Sequence, residues 1–101
     1  MIELNKKYVG KALKLIRQYH NMSQTQLGKN LLGCTRQRVS YMESGRSVVL
    51  LQTLHKYSDA FTISVWDILY LAKEMQDGID PRATLHSILN SKTNKENLNA
   101  L

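Results

Sequence analysis

Apolar residues along this chain return at intervals of three and four rather than two, the spacing that lines one side of an α-helix. The first such segment opens at Asn5, whose side chain suits an N-cap, and carries Val9, Ala12, Leu13 and Ile16 to about His20. Lysines occupy its other faces. Ser23 starts a second, short helix holding Leu27 and Leu31, and Gly33 stops it. Only Gly33 and Cys34 separate it from a third, which Thr35 caps and which runs from Arg36 to about Ser44, closed by Gly45. Two short helices therefore meet across a tight turn. A fourth segment, from about Val49 to Phe61, repeats Leu50, Leu51, Leu54 and Tyr57, and Ser64 with Asp67 makes a capping-box variant that opens a fifth to about Gln76. Gly78 to Pro81 breaks the pattern. Asp80 as cap and Pro81 at the first helical position then begin a last helix to about Asn90, with Leu85, Ile88 and Leu89 on one side. The expected fold is all-α, with a main domain over 1–76, an added helix over 77–90 for packing or dimerisation, and a flexible polar tail over 91–101.

Charge changes this picture because it is uneven. Residues 1 to 46 hold nine basic groups (Lys6, Lys7, Lys11, Lys14, Arg17, Lys29, Arg36, Arg38, Arg46) against Glu3 and Glu43, whereas the remainder carries five basic and six acidic groups. A localised positive field suits a polyanion, whose displaced counterions drive binding; a solubilising surface is the alternative that charge alone leaves open.

The third helix gives that field a reading surface. At about 100° per residue, Val39 and Met42 share one side, Gln37, Ser40 and Tyr41 lie opposite, and Arg36 and Arg38 flank them. Arginine offers paired donors to guanine and glutamine a donor and an acceptor to adenine, which is what base edges in a major groove require.

The runs Ser23-Gln24-Thr25-Gln26-Leu27-Gly28 and Thr35-Arg36-Gln37-Arg38-Val39-Ser40-Tyr41-Met42-Glu43-Ser44-Gly45-Arg46 resemble the phage repressor and Cro class (XRE type) of helix-turn-helix transcriptional regulators. Downstream, Leu51 to Leu54, Phe61 to Ser64 and Ile68-Leu69 continue the likeness, which covers about residues 9 to 70. The resemblance implies a lambda-repressor-like domain of five or six helices bound to double-stranded DNA. It places Arg36, Gln37, Arg38, Ser40 and Tyr41 at the bases, and Gln24, Thr35, Ser44 and Arg46 at phosphates. Glu43 lies about 70° from the centre of the buried side and needs a partner, and Arg17 matches the family position that supplies one. Gly28 matches a small residue that lets the second and third helices approach. One departure stands out: the stretch between Leu27 and Thr35 is one residue longer than the family's usual spacing. The addition either lengthens the second helix or loosens the turn, and rotates the recognition helix accordingly.

Other chemistry finds little support. His20, His55 and His86 fall on three different helices without ligand spacing, and the single cysteine, Cys34, forms neither an internal disulfide nor a cysteine-cluster zinc site. No nucleophile elbow or phosphate loop occurs, so neither an enzyme, a cofactor nor a metal is expected. No apolar run approaches the roughly 18 residues that span a bilayer, and no signal peptide opens the chain, so a cytoplasmic protein is expected. The fifth helix is apolar nearly all round. Either Trp66, Tyr70, Leu71 and Met75 form a two-fold contact with a second copy, or the last helix folds back over them. The expected function is a homodimeric repressor of a palindromic operator. An antitoxin that also binds a toxin, or an interaction module that has lost DNA binding, are the rival readings.

Overall fold

The computed structural model describes residues 5–99, and side chains through Ser91. Within these residues the chain forms α1 (Lys6–Tyr19), α2 (Gln24–Leu27), a π-helical segment (Gly28–Leu32), α3 (Arg36–Glu43), α4 (Leu51–Phe61), α5 (Val65–Gln76) and α6 (Arg82–Asn99), with no strand. The all-α architecture read from periodicity is the one observed.

Most helix starts follow from their caps. The side chains of Asn5, Ser23, Thr35 and Ser64 accept backbone N–H groups two or three residues on, satisfying donors that the first turn leaves free. Ser23 and Gln26 complete a reciprocal capping box, at 3.0 and 2.9 Å. Two starts differ from expectation. Helix α4 begins at Leu51 instead of Val49, after Leu50, which offers no side-chain cap. Helix α6 begins at Arg82, because the Pro81 carbonyl already accepts from Leu85 and the Asp80 carboxylate accepts the Arg82 N–H at 3.0 Å. This helix also passes the end expected near Asn90 and runs to Asn99, through residues that include no glycine or proline to stop it. The rest of the expected polar tail, residues 100–101, lies outside the described residues.

The core gathers Ala12, Leu13 and Ile16 of α1, Leu27 of α2, Val39 and Met42 of α3, Leu54, Tyr57 and Phe61 of α4, and Ile68, Leu71 and Ala72 of α5. Leu85 of α6 closes it. Helix α1 is the spine: one side packs along α5 and the other crosses α3. That crossing depends on Gly10, where a Cβ would stand 2.2 Å from the Met42 carbonyl oxygen and 2.8 Å from that of Glu43. The backbones are in direct contact there, which fixes where the end of α3 sits.

Candidate nucleic-acid interface

Helices α2 and α3 form the helix-turn-helix, and the extra residue between Leu27 and Thr35 is taken up inside the second helix. Residues Gly28–Leu32 widen into a π-helical turn, and the N–H groups of Gly33 and Cys34 both return to the Gly28 carbonyl. A π-turn is the standard way for a helix to absorb one inserted residue. Gly33 then reverses the chain at φ 64°, and Thr35 caps α3 immediately afterwards. The two helices still pack tightly, since a Cβ on Gly28 would lie 2.6 Å from the Cys34 carbonyl oxygen and 3.3 Å from a Val39 methyl. The Lys56 ammonium reaches the Leu32 carbonyl at 3.4 Å, tying this widened turn to α4.

Helix α3 turns Val39, Met42 and Glu43 inward and leaves Arg36, Gln37, Arg38 and Tyr41 exposed; Ser40 is half-buried. The exposed groups are organised. The Gln37 amide donates to the Tyr41 hydroxyl at 2.8 Å, one helical turn away. The Arg46 guanidinium lies over the Tyr41 ring, 5.5 Å from its centroid. Arg38 stands apart from this group: it lines a groove of about 250 Å³ on the α4 side, with Cys34, Met42, Gln52 and Lys56. Of the five residues read from the sequence as base contacts, the structure thus gathers Gln37 and Tyr41, with Arg36 exposed at the start of the same helix.

The α3 terminus is closed by its own backbone. The Tyr41 carbonyl accepts from the Arg46 and Ser47 N–H groups and from the Ser44 hydroxyl, while Gly45 takes φ 80°. Ser44 and Arg46 are exposed on this turn, as is Thr35 at the opposite end of α3. Gln24, half-buried at the start of α2, donates its amide to Glu43 Oε1 at 3.0 Å. Its nitrogen is therefore committed to the protein, which leaves its carbonyl oxygen and the first amides of α2 to face outward.

Behind the helix-turn-helix lies the pair that joins it to α1. Arg17 Nε and Nη2 donate to the two Glu43 oxygens, and Nη1 donates to the Met22 carbonyl in the α1–α2 connection. Both residues are buried, and hydrogen bonding to Glu43 raises the Arg17 pKa against the opposing effect of burial. The Glu43 carboxylate thereby links α1, α2 and α3.

The four residues read as a contact between copies separate into two kinds. Trp66 and Tyr70 are 81% and 59% exposed on α5. Leu71 is wholly enclosed in its own chain's core and is withdrawn from that surface; Met75 is half-buried. An unbroken apolar run gives no angular contrast, so periodicity does not separate its inner from its outer members. Gly10 was missed altogether, although an isolated glycine within a helical pattern marks a close approach. Among the described residues no cluster of His, Cys, Asp or Glu is fit to hold a metal, and no helix is long and apolar enough to cross a membrane.

No curated protein matches the chain. A helix-turn-helix family model, however, matches residues 13–65, from the middle of α1 to the start of α5. The match encloses the α2–α3 unit, the buried Arg17 and Glu43, and the exposed face of α3. The chain belongs to this family, the phage repressor and Cro type of DNA-binding helix-turn-helix regulators, on a lambda-repressor-like all-α fold.

Proposed function

We propose that the protein is a homodimeric transcriptional repressor that reads a palindromic operator, with α3 of each copy in the major groove. The observation that carries this reading is the exposed, hydrogen-bonded set of Arg36, Gln37 and Tyr41 on a helix whose other side is locked into the core. In it, Arg36 and Gln37 contact base edges and Tyr41 a thymine methyl or a phosphate, while Ser40 and Arg38 serve the edges of the same surface. Thr35, Ser44, Arg46 and the Gln24 end of α2 grip phosphates.

Dimerisation uses Trp66 and Tyr70, whose exposure is unusual for such large apolar side chains on so small a chain. Two-fold pairing sets half-sites about one helical turn apart. Repression follows most simply, since occluding a promoter requires nothing beyond DNA binding. An antitoxin would use the same α5 face for a different protein, and would then copurify with it. Loss of DNA binding is disfavoured by exposed cations that have no carboxylate partner.

Selection of bound fragments from genomic DNA, followed by footprinting across a salt series, tests the proposal. A symmetric protected site with steep salt dependence supports it. Absence of binding even at low salt rules it out.

A further inference from the structure

Four lysines on α1, Lys6, Lys7, Lys11 and Lys14, are exposed, and none has an ion pair or hydrogen bond from its ammonium among the described residues. Two of them are gathered: the ammonium groups of Lys7 and Lys11 lie 5.9 and 5.3 Å from the centroid of one ring, that of half-buried Tyr8. Like charges four residues apart on a helix repel, and the first turn of α1 carries no acidic residue to offset them. Attraction to the ring partly compensates, but the site still presents two adjacent cations that an anion would satisfy.

Their position decides which anion. A Cβ on Gly45 would meet the Lys7 Cα at 2.8 Å and its Cβ at 3.2 Å, so the Lys7 backbone rests against the Ser44 to Arg46 turn. The lysine pair thus abuts the turn that carries Arg46 and, through it, the Tyr41 ring. A solvated lysine face would have no reason to begin at that turn.

We propose that Lys7 and Lys11 bind backbone phosphates of duplex DNA beyond those held by Ser44 and Arg46, with Tyr8 as the platform that keeps the two ammonium groups together. The inference rests on the DNA-binding reading and extends its footprint along α1. It assigns these lysines to affinity and salt dependence, and not to sequence choice, because phosphates carry no base identity.

The test uses the full chain and a duplex containing its selected site, with affinities measured over a salt series for the wild type, K7Q/K11Q and K73Q/R82Q. The last variant removes the same net charge from α5 and α6. K7Q/K11Q should reduce the slope of log K against log salt by about 1.8, near 0.9 for each phosphate lost, while preference between matched and mismatched sites stays constant. K73Q/R82Q should leave the slope intact. An unchanged slope in K7Q/K11Q, or an equal fall in both variants, overturns the assignment. So does a K7Q/K11Q defect confined to single-stranded RNA or to anionic vesicles. Failure of the wild type to bind any duplex would refute the underlying DNA-binding reading instead, which Q37A probes separately through sequence preference. Because Lys7 and Lys11 are exposed, thermal melts of the variants should match the wild type.

Discussion

Arg17 holds Glu43 through a two-pronged contact, with Nε to Oε2 at 2.7 Å and Nη2 to Oε1 at 2.9 Å. The pair is enclosed, since the side chains are only 9% and 2% exposed. Breaking one half strands a charge that has left water. Arg17→Met should therefore cost ~3 to 5 kcal/mol in urea denaturation. Adding Glu43→Leu should recover much of that loss, because the desolvated carboxylate goes with it. A double variant as unstable as the single one would mean that the pair stabilises by more than it costs to bury.

Tyr57 lies near the same charges but is handled differently. Its hydroxyl is buried without a hydrogen-bond partner among the described residues. Burial pushes its ionisation well above the ordinary range, the Glu43 charge adds to this, and Arg17 opposes it. A folded-state value above the unfolded one, about 10, means that stability from the neutral phenol is complete below pH 10 and is lost as pH rises further. Tyr57→Phe should be neutral or stabilise the fold by about 1 kcal/mol, and should delay alkaline unfolding. Loss of more than that amount in a denaturation series would reveal a partner for the hydroxyl.

Gly10 and Gly33 predict opposite reasons for intolerance. Gly10→Ala drives a methyl into the Met42 and Glu43 carbonyls and should cost about 3 kcal/mol, at the upper end for overpacking. Gly33→Ala meets nothing within 4 Å but must hold φ 64°, and should cost about 1 kcal/mol. Equal losses in parallel melts would show that the α1–α3 contact yields more readily than its backbone packing implies.

Trp66 provides the check on assembly. Trp66→Glu should convert a dimer to a monomer in sedimentation equilibrium while leaving the helical content unchanged, since the ring is 81% exposed within one chain. A wild-type chain that sediments as a monomer at the concentrations that saturate DNA would remove the two-fold operator from the account.

How far the residues alone revealed this protein varies from place to place. Helix starts were legible because Asn5, Ser23, Thr35 and Ser64 each perform a local task that depends little on the rest of the fold. The inward set of Val39 and Met42 was legible for the same reason, α3 being short and its apolar positions few. The extra residue before Thr35 could be counted, but its accommodation depends on whether an i→i+5 turn packs against α4, which Lys56 and the core decide. Likewise Leu71 and Trp66 look alike in sequence, and only the packing of α1 along α5 separates the enclosed residue from the exposed one. Arg38 was placed beside the reading face by angle, whereas the neighbouring α4 gives it a groove to line. Gln24 was expected at a phosphate, and Glu43 claims its amide.

Base reading by α3 is most directly tested by comparing Gln37→Ala with Arg46→Ala on the selected operator and on a panel of single base-pair substitutions. Gln37→Ala should cost ~1 to 3 kcal/mol on the operator and relax the preference at one base pair, while Arg46→Ala should weaken binding to every sequence alike. A Gln37→Ala loss spread evenly over the whole panel would contradict the account, because the exposed face of α3 would then not be the surface that reads the sequence.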